Sequence, residues 1–145
     1  MTGNCKCNFK NWLVSTVVVA AVYFGLDWVI NNNFMAGVFQ ANSQYLRGPE
    51  QIVAMQKWVY AYYLIFAAFF TCLYAVGHDP QKPKFAQGVR FGIFIGLFYW
   101  GTTILGMYPY VPWTDDFYVK WFVWGMVDAV VLGVITALLH KPKAA

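Results

Sequence analysis

Four stretches of almost uninterrupted apolar residues constrain this chain more than any other feature. They cover about residues 12–30, 52–77, 87–107 and 116–139. A helix needs roughly 20 apolar residues to cross a hydrocarbon layer about 30 Å thick, and each stretch is close to that length or longer. Backbone groups inside lipid must be paired within their own segment, which a helix achieves. The sequence therefore predicts an all-α, polytopic membrane protein: one domain, residues 1–145, with four transmembrane helices in an antiparallel bundle.

The composition agrees with lipid as the solvent of most of the chain. Hydrophobic residues make up 60 % and charged residues 11 %, whereas soluble domains are about 25 % charged. The first stretch follows a basic segment with Lys6 and Lys10, as a secretory signal does. It is longer than a signal core of about 7–15 residues, and no small-residue cleavage site follows Ile30. We therefore expect the first helix to remain in the protein.

The positive charges predict the orientation of the chain. The net charge is +4. Most basic residues lie in the N-terminal segment, the second connection and the C-terminal segment, which share one side of a four-span protein: Lys6, Lys10, Lys82, Lys84, Arg90, Lys141 and Lys143. Arg47, Lys57 and Lys120 fall on the other side. The positive-inside rule then places both termini in the cytoplasm, and no nucleic-acid partner is needed to explain the basicity.

The connections predict one surface helix and two tight turns. Residues 34–47 place apolar side chains at helical spacing, which is typical of a short interfacial helix on the outer membrane surface. Pro49 marks the start of the second helix, about two turns outside the lipid. The segment "GHDPQKPK", residues 77–84, predicts a turn that makes spans two and three antiparallel neighbours. The third connection supplies most of an outer aromatic belt, which comprises Trp28, Trp58, Tyr108, Tyr110, Trp113, Tyr118 and Trp121.

Small residues recur every four positions on the last two spans. The rows consist of Gly88, Gly92 and Gly96 on span three, and Gly125, Ala129 and Gly133 on span four. Such rows let helix backbones approach closely where lipid provides no hydrophobic drive for association. We favour packing of these two helices on each other within one chain, and an interface with another subunit is the alternative.

Asp128 places a carboxylate near the middle of the fourth span. A charge at that depth costs at least about 2.5–3.5 kcal/mol, so the acid must be neutral, paired or beside water. Hydroxyl groups of Tyr62, Tyr63, Tyr99 and Thr102 fall at a similar depth on spans two and three. We expect Asp128 to accept hydrogen bonds from such donors as a packing contact. A proton or cation pathway and a contact to a partner subunit are the alternatives.

No motif predicts a cofactor, a metal ligand or a catalytic residue. His78 and His140 fall at helix ends, where they complement the helix dipole, and not opposite each other in the membrane as haem ligation requires. Cys5 and Cys7 form a Cys-x-Cys pair without further ligands close by. Nucleophile–base pairs, paired carboxylates and phosphate-binding loops are also lacking. We therefore expect a protein that is not an enzyme.

Four segments carry a resemblance to a known kind of protein: "YLRGPEQIVAMQKW", "FTCLYAVG", "GVRFGIFIGL" and "MYPYVPW". In their order and spacing the chain resembles small, uncharacterised four-helix proteins of bacterial inner membranes. The resemblance extends from about Trp12 to Leu139. It implies a multi-pass protein of the bacterial inner membrane and no particular activity.

Three functions stay open at this point. We favour an accessory or structural subunit of a larger bacterial membrane complex, of respiratory or photosynthetic type, whose partners are lipid and other membrane subunits or further copies of the chain. The second is a small oligomeric carrier or channel for a proton-coupled or cationic solute, with Asp128 as the coupling acid. The third is a binding module for a quinone, carotenoid or lipid, lined by the many aromatic residues of spans two to four.

Overall fold

The computed structural model describes residues 9–141, of which 83 % lie in helices and none in a strand. Cys5, Lys6, Cys7 and Lys143 lie outside the described residues. Within the described range, four helices are long and apolar enough to cross a membrane: Phe9–Asn33, Gln56–Gly77, Lys84–Met107 and Asp115–Leu139. The prediction of an all-helical chain with four such helices is confirmed for this part of the protein.

Shorter elements connect and divide the long helices. In chain order the elements are α1 (Phe9–Asn33), α2 (Ala36–Ala41), a 3-10 turn (Ser43–Tyr45), α3 (Pro49–Ala54), α4 (Gln56–Gly77), α5 (Lys84–Gly96), a π-helical turn (Leu97–Gly101), α6 (Thr102–Met107) and α7 (Asp115–Leu139). The helix α5, the π-helical turn and α6 follow one another without a break and together form the third long helix.

Two predicted helices are interrupted. The helix predicted to start near Pro49 ends at Met55, whose N–H lies 3.2 Å from the carbonyl oxygen of Gln51 and 3.0 Å from that of Ile52, and α4 begins after this tightened turn. The surface helix predicted for residues 34–47 is only α2 followed by the 3-10 turn. Asn42 separates them because its side-chain amide donates to the carbonyl oxygen of Val38, a local bond that competes with helix continuation.

The helices α1 and α4 run in opposite directions and are joined by side chains. Thr16 and Thr71 hydroxyls lie 3.1 Å apart near one end of the pair. Towards the other end, the hydroxyl group of Tyr63 donates to Asp27 at 2.6 Å. As the residue number rises along α1, that of the partner on α4 falls. Rings and hydroxyl groups, rather than backbone contact, hold these two helices together.

The helices α5 and α7 also run in opposite directions, but their backbones touch. A Cβ atom added at Gly88 would lie 2.7 Å from the carbonyl oxygen of Gly133, and one added at Gly92 would lie 2.6 Å from the Cα atom of Val130. Real Cβ atoms essentially never come so close to another atom. The glycine rows on spans three and four therefore lie against each other within one chain.

The helix α7 joins the two pairs. Its residue Leu132 is fully buried and packs with Val19 and Tyr23 of α1 and Phe70 of α4 in the main hydrophobic cluster. The helices α4 and α5, which the sequence predicts as antiparallel neighbours, meet mainly through rings: Phe70 and Phe91 have centroids 4.9 Å apart. Two clefts follow from this arrangement, one between α1 and α7 and one between α4 and α5.

Candidate functional site

The hydroxyl groups that the sequence assigns to Asp128 are engaged elsewhere. Tyr63 donates to Asp27, and Tyr99 donates to the hydroxyl oxygen of Tyr62 at 3.4 Å. Thr102 is exposed and donates to the carbonyl oxygen of Phe98 in its own helix. The expected hydrogen bonds to Asp128 are not made within residues 9–141; Asp128 instead lies in the wall of a cavity with Asp27 and Asn31 of α1.

Asp128 is buried without a hydrogen-bond partner in the described chain. The residue is 2 % exposed. Its Oδ1 atom is inaccessible and makes no hydrogen bond within residues 9–141. A buried polar group in this condition is costly, and buried polar groups in proteins usually have partners. Asp128 is therefore an exception among the buried polar groups of the described residues.

Asp128 opens onto a cavity of about 230 Å³ that also has Asp27 in its wall. Asp27 and Asp128 are far apart in the sequence, but the antiparallel packing of α1 and α7 brings both acids to one space. Asp27 is partly buried and accepts the hydrogen bond from Tyr63. The two carboxylates therefore differ, since Asp27 has a partner on α4 and Asp128 has none among the described residues.

Aromatic rings form most of the remaining wall. They are Phe39, Trp100, Trp113, Phe117, Trp121 and Trp124. The rings hold one another: the centroids of Trp113 and Phe117 are 4.5 Å apart, and Trp121 lies 5.4 Å from Trp100 and 5.5 Å from Trp113. The Nε1 atom of Trp113 is a second buried polar atom without a hydrogen-bond partner in the described residues.

The π-helical turn positions Trp100 against α7. Gly88, Gly92, Gly96 and Trp100 are four residues apart, and each step of four overshoots a full turn of an α-helix by about 40°. The wider π-helical turn after Gly96 offsets part of that drift, so Trp100 still faces α7. Gly125 makes room for it, because a Cβ atom there would meet the indole carbons of Trp100.

The segment after α1 covers the cavity and is fixed to the start of α7. Met35 and Phe39 line the cavity, and Met35 is 1 % exposed. Asn42, fully buried, donates to the Thr114 hydroxyl group at 3.1 Å and accepts a hydrogen bond from the Thr114 backbone N–H at 3.0 Å. These bonds between α2 and α7 hold the cover in place.

Part of the predicted aromatic belt lies inside the protein. Trp28, Trp58, Tyr108 and Tyr110 are exposed as a belt requires. The remaining members turn inward instead: Tyr118 is 4 % exposed, and Trp113 and Trp121 line the cavity. The sequence does carry a signal for this inward face. Four rings at and just before the start of α7 follow helical spacing and share one face: Trp113, Phe117, Trp121 and Trp124.

The opposite end of the long helices carries the two histidines. The ring centroids of His78 and His140 are 4.6 Å apart, and the Nζ atom of Lys84 donates to the carbonyl oxygen of His140 at 2.9 Å. Burial lowers the pKa of both histidines, and nearby positive charge at Lys84 lowers it further. No group of three or more His, Cys, Asp or Glu residues within residues 9–141 is arranged to hold a metal ion.

Comparison with protein-family models, with curated proteins and with solved structures found no match to this chain. The chemistry of the cavity must therefore be inferred from its own residues. Carboxylates attract a positive charge, and the faces of tryptophan rings attract one as well, with a strength of about 2 kcal/mol or more when water is excluded. The cavity thus combines the two features that favour an organic cation.

Proposed function

We propose that the chain spans a membrane as an antiparallel four-helix bundle. The support is the length and apolarity of the four long helices and the large apolar side chains that point outward from them. We place it in the bacterial inner membrane with both termini in the cytoplasm. The basic residues Lys82, Lys84, Arg90 and Lys141 at the end that carries His78 and His140 support this orientation through the positive-inside rule.

We further propose that the protein binds an organic cation with apolar substituents and carries it across the membrane, without catalysing a reaction. The observation behind this proposal is the buried carboxylate of Asp128, which lacks a partner within the described chain and shares an aromatic cavity with Asp27. The site thus favours the carrier among the functions that the sequence leaves open. The carboxylates provide the opposite charge, and the rings provide cation–π contacts and apolar surface.

An inorganic cation fits the site less well. Calcium takes six to eight oxygen ligands, and magnesium takes six in near-octahedral geometry. The side chains around this cavity offer oxygen atoms only from Asp27, Asn31 and Asp128, and the Oδ2 atom of Asp27 already accepts a hydrogen bond. Most of the wall is aromatic or aliphatic. A quaternary ammonium ion needs no directed ligands and suits such a wall.

Proton exchange follows from the chemistry of an acid in lipid. A carboxylate at membrane depth is stable when it is protonated or when a cation lies beside it. Entry of an organic cation therefore displaces a proton from Asp27 or Asp128, and release of the cation requires a proton to return. Alternating occupation by a proton and by the cation is the basis of exchange transport. The cleft between α1 and α7 is the route by which we expect the cavity to open.

Uptake by proteoliposomes tests this proposal, with trimethylphenylammonium as the cation and an imposed proton gradient. We expect Asp128→Asn to lower uptake at least about tenfold, which corresponds to about 1.4 kcal/mol. Asp116→Asn is the matched control, since Asp116 is an exposed acid on the same helix that pairs with Lys120 at 2.8 Å. Equal uptake by both variants, or no uptake above empty liposomes by the native chain, would refute transport.

An accessory role in a larger membrane complex is our second proposal. Its support is the set of exposed rings that point away from the helix assembly at the cavity end, among them Trp28, Trp58 and Tyr110. Lipid headgroups attract such rings as well. Native mass measurement after purification in mild detergent separates the two proposals. A stable heterologous partner favours the accessory role, and a chain that transports on its own refutes it.

A further inference from the structure

The cleft between α4 and α5 holds a second cavity that differs in chemistry from the first. It measures about 560 Å³ and lies at the end that carries His78 and His140. Its wall is polar at Asp79, Lys82, Gln87 and Arg90, and it is aromatic and aliphatic at Phe91, Ile93, Phe94 and Leu97. We propose that this cavity binds one anionic phospholipid, with the phosphate group at Arg90 and an acyl chain against Phe94 and Leu97. The inference rests on membrane insertion of the long helices but not on cation binding.

The first support is an uncompensated positive charge. Arg90 is exposed at the cavity wall and makes no hydrogen bond or ion pair within residues 9–141. Lys82, also in the wall, pairs with Asp79 at 3.0 Å, so these two charges largely cancel. The cavity is left with the net charge of Arg90. A guanidinium group binds a phosphate with two parallel hydrogen bonds, which is its preferred form of anion recognition.

The second support is the order of residues along the third long helix. Gln87, Arg90, Phe94 and Leu97 follow helical spacing and all line the cavity. The order from the helix start inward is thus amide, guanidinium, ring and aliphatic chain, which matches a lipid from headgroup to acyl chain. Side chains on a helix lean towards its N-terminus, so the Arg90 side chain leans towards the membrane surface.

The third support is lateral access. Ile93, Phe94 and Leu97 are 42, 69 and 51 % exposed, so this side of the cavity faces the surroundings of the helix. On the other side, Tyr74 and Phe91 close the cleft with ring centroids 5.3 Å apart. A molecule can therefore enter sideways from the lipid. Basic pockets between helices near the cytoplasmic surface are sites where anionic lipid headgroups bind.

Native mass spectrometry of the delipidated protein tests the inference with phosphatidylglycerol and phosphatidylcholine of identical acyl chains. We expect the first bound lipid to favour phosphatidylglycerol at least about fivefold, which is the effect of one basic residue near an anionic membrane surface. Arg90→Gln should abolish the preference. Arg47→Gln removes the same charge at the opposite end and should retain it. The double variant Asp79→Asn/Lys82→Gln removes both charges of that ion pair, leaves the net charge of the cavity unchanged and should retain the preference.

Two further measurements, one on a variant and one with a competing phosphate, separate the possible outcomes. Phe94→Ser retains the charge and should weaken lipid binding, and equal binding to this variant would refute the role of the acyl chain. Glycerol 3-phosphate should not displace the lipid at equal concentration, and displacement would indicate a site for a soluble phosphate instead. Equal preference in Arg90→Gln and Arg47→Gln would overturn the lipid site. If the chain remained soluble without detergent and bound neither lipid, the membrane proposal itself would fail.

Discussion

The two antiparallel helix pairs of this protein are built in different ways. Between α5 and α7, glycines bring the backbones into contact, and a Cβ atom added at Gly88, Gly92 or Gly133 would collide with main-chain atoms. Between α1 and α4, hydroxyl groups and rings fill the interface, as in the Tyr63–Asp27 and Thr16–Thr71 hydrogen bonds. The first pair has one possible spacing, whereas the second depends on side chains that can change rotamer. We call α5 and α7 the fixed pair and α1 and α4 the adaptable pair. The acidic cavity, which Asp27 and Asp128 line, lies between α1 and α7, where the two pairs meet.

Gly92→Leu should have the largest effect on stability, because it tests the fixed pair. The new Cβ atom alone would lie 2.6 Å from the Cα atom of Val130, and α7 must move to accept the rest of the side chain. Overpacking of this kind costs about 3 kcal/mol or more. Thermal unfolding in detergent measures the effect. Gly106→Leu is the control on the same long helix, since a Cβ atom there meets nothing within 4 Å. A similar loss in both variants would contradict close backbone contact between α5 and α7.

Leu132→Ala should come next, because Leu132 connects α7 to the adaptable pair. The side chain is fully buried against α1 and α4. We expect a loss of about 2 kcal/mol, at the lower end of the range for such truncations, since lipid removes part of the hydrophobic contribution. Leu138→Ala on the same helix is 59 % exposed and should change the unfolding free energy little. Equal losses would indicate that α7 does not pack on α1 and α4 through this face.

Tyr63→Phe should have a smaller effect, because it removes one hydrogen bond of the adaptable pair and keeps the ring. The bond to Asp27 is 2.6 Å long, and hydrogen bonds between membrane helices contribute about 0.6 kcal/mol on average. Tyr60→Phe is the control, since Tyr60 lies on the same helix and is 51 % exposed. Chemical unfolding of both variants provides the comparison. If Tyr63→Phe were as stable as Tyr60→Phe, the Tyr63–Asp27 hydrogen bond would not contribute to the association of α1 and α4.

The smallest effect concerns the histidine end, away from the cavity. Burial lowers the pKa of His78 and His140 below the ordinary value of 6.5, so the unfolded chain binds protons more readily there. The contribution of the two histidines to the free energy of unfolding is therefore fully present above pH 6.5. It declines as the pH falls from there through the lowered pKa values. We expect the melting temperature to fall between pH 7.5 and pH 5, and His140→Gln to reduce that change. A variant with an undiminished pH dependence would exclude this pair as its source.

Much of the fold follows from local sequence, and most of the site does not. The long apolar stretches predict the four long helices, and the spacing of Gly88, Gly92, Gly125 and Ala129 predicts where two of them approach. The shared cavity depends instead on how α1 and α7 are aligned, which no local pattern encodes. Asp27 and Asp128 are 101 residues apart, and their juxtaposition is a property of tertiary packing. Trp113 likewise lines this cavity beside Met35 and Phe39, which come from a distant part of the sequence.

Proton release on ligand binding is the most direct test of the acidic cavity as a cation site. Trimethylphenylammonium is titrated into the protein in nanodiscs in weakly buffered solution, with tryptophan fluorescence as the measure of binding. We predict that the native protein binds the cation and releases protons as it does so, and that Asp27→Asn/Asp128→Asn binds it at least about tenfold more weakly with no release. Equal affinity in the two proteins, or binding without proton release by the native chain, would contradict the proposed exchange.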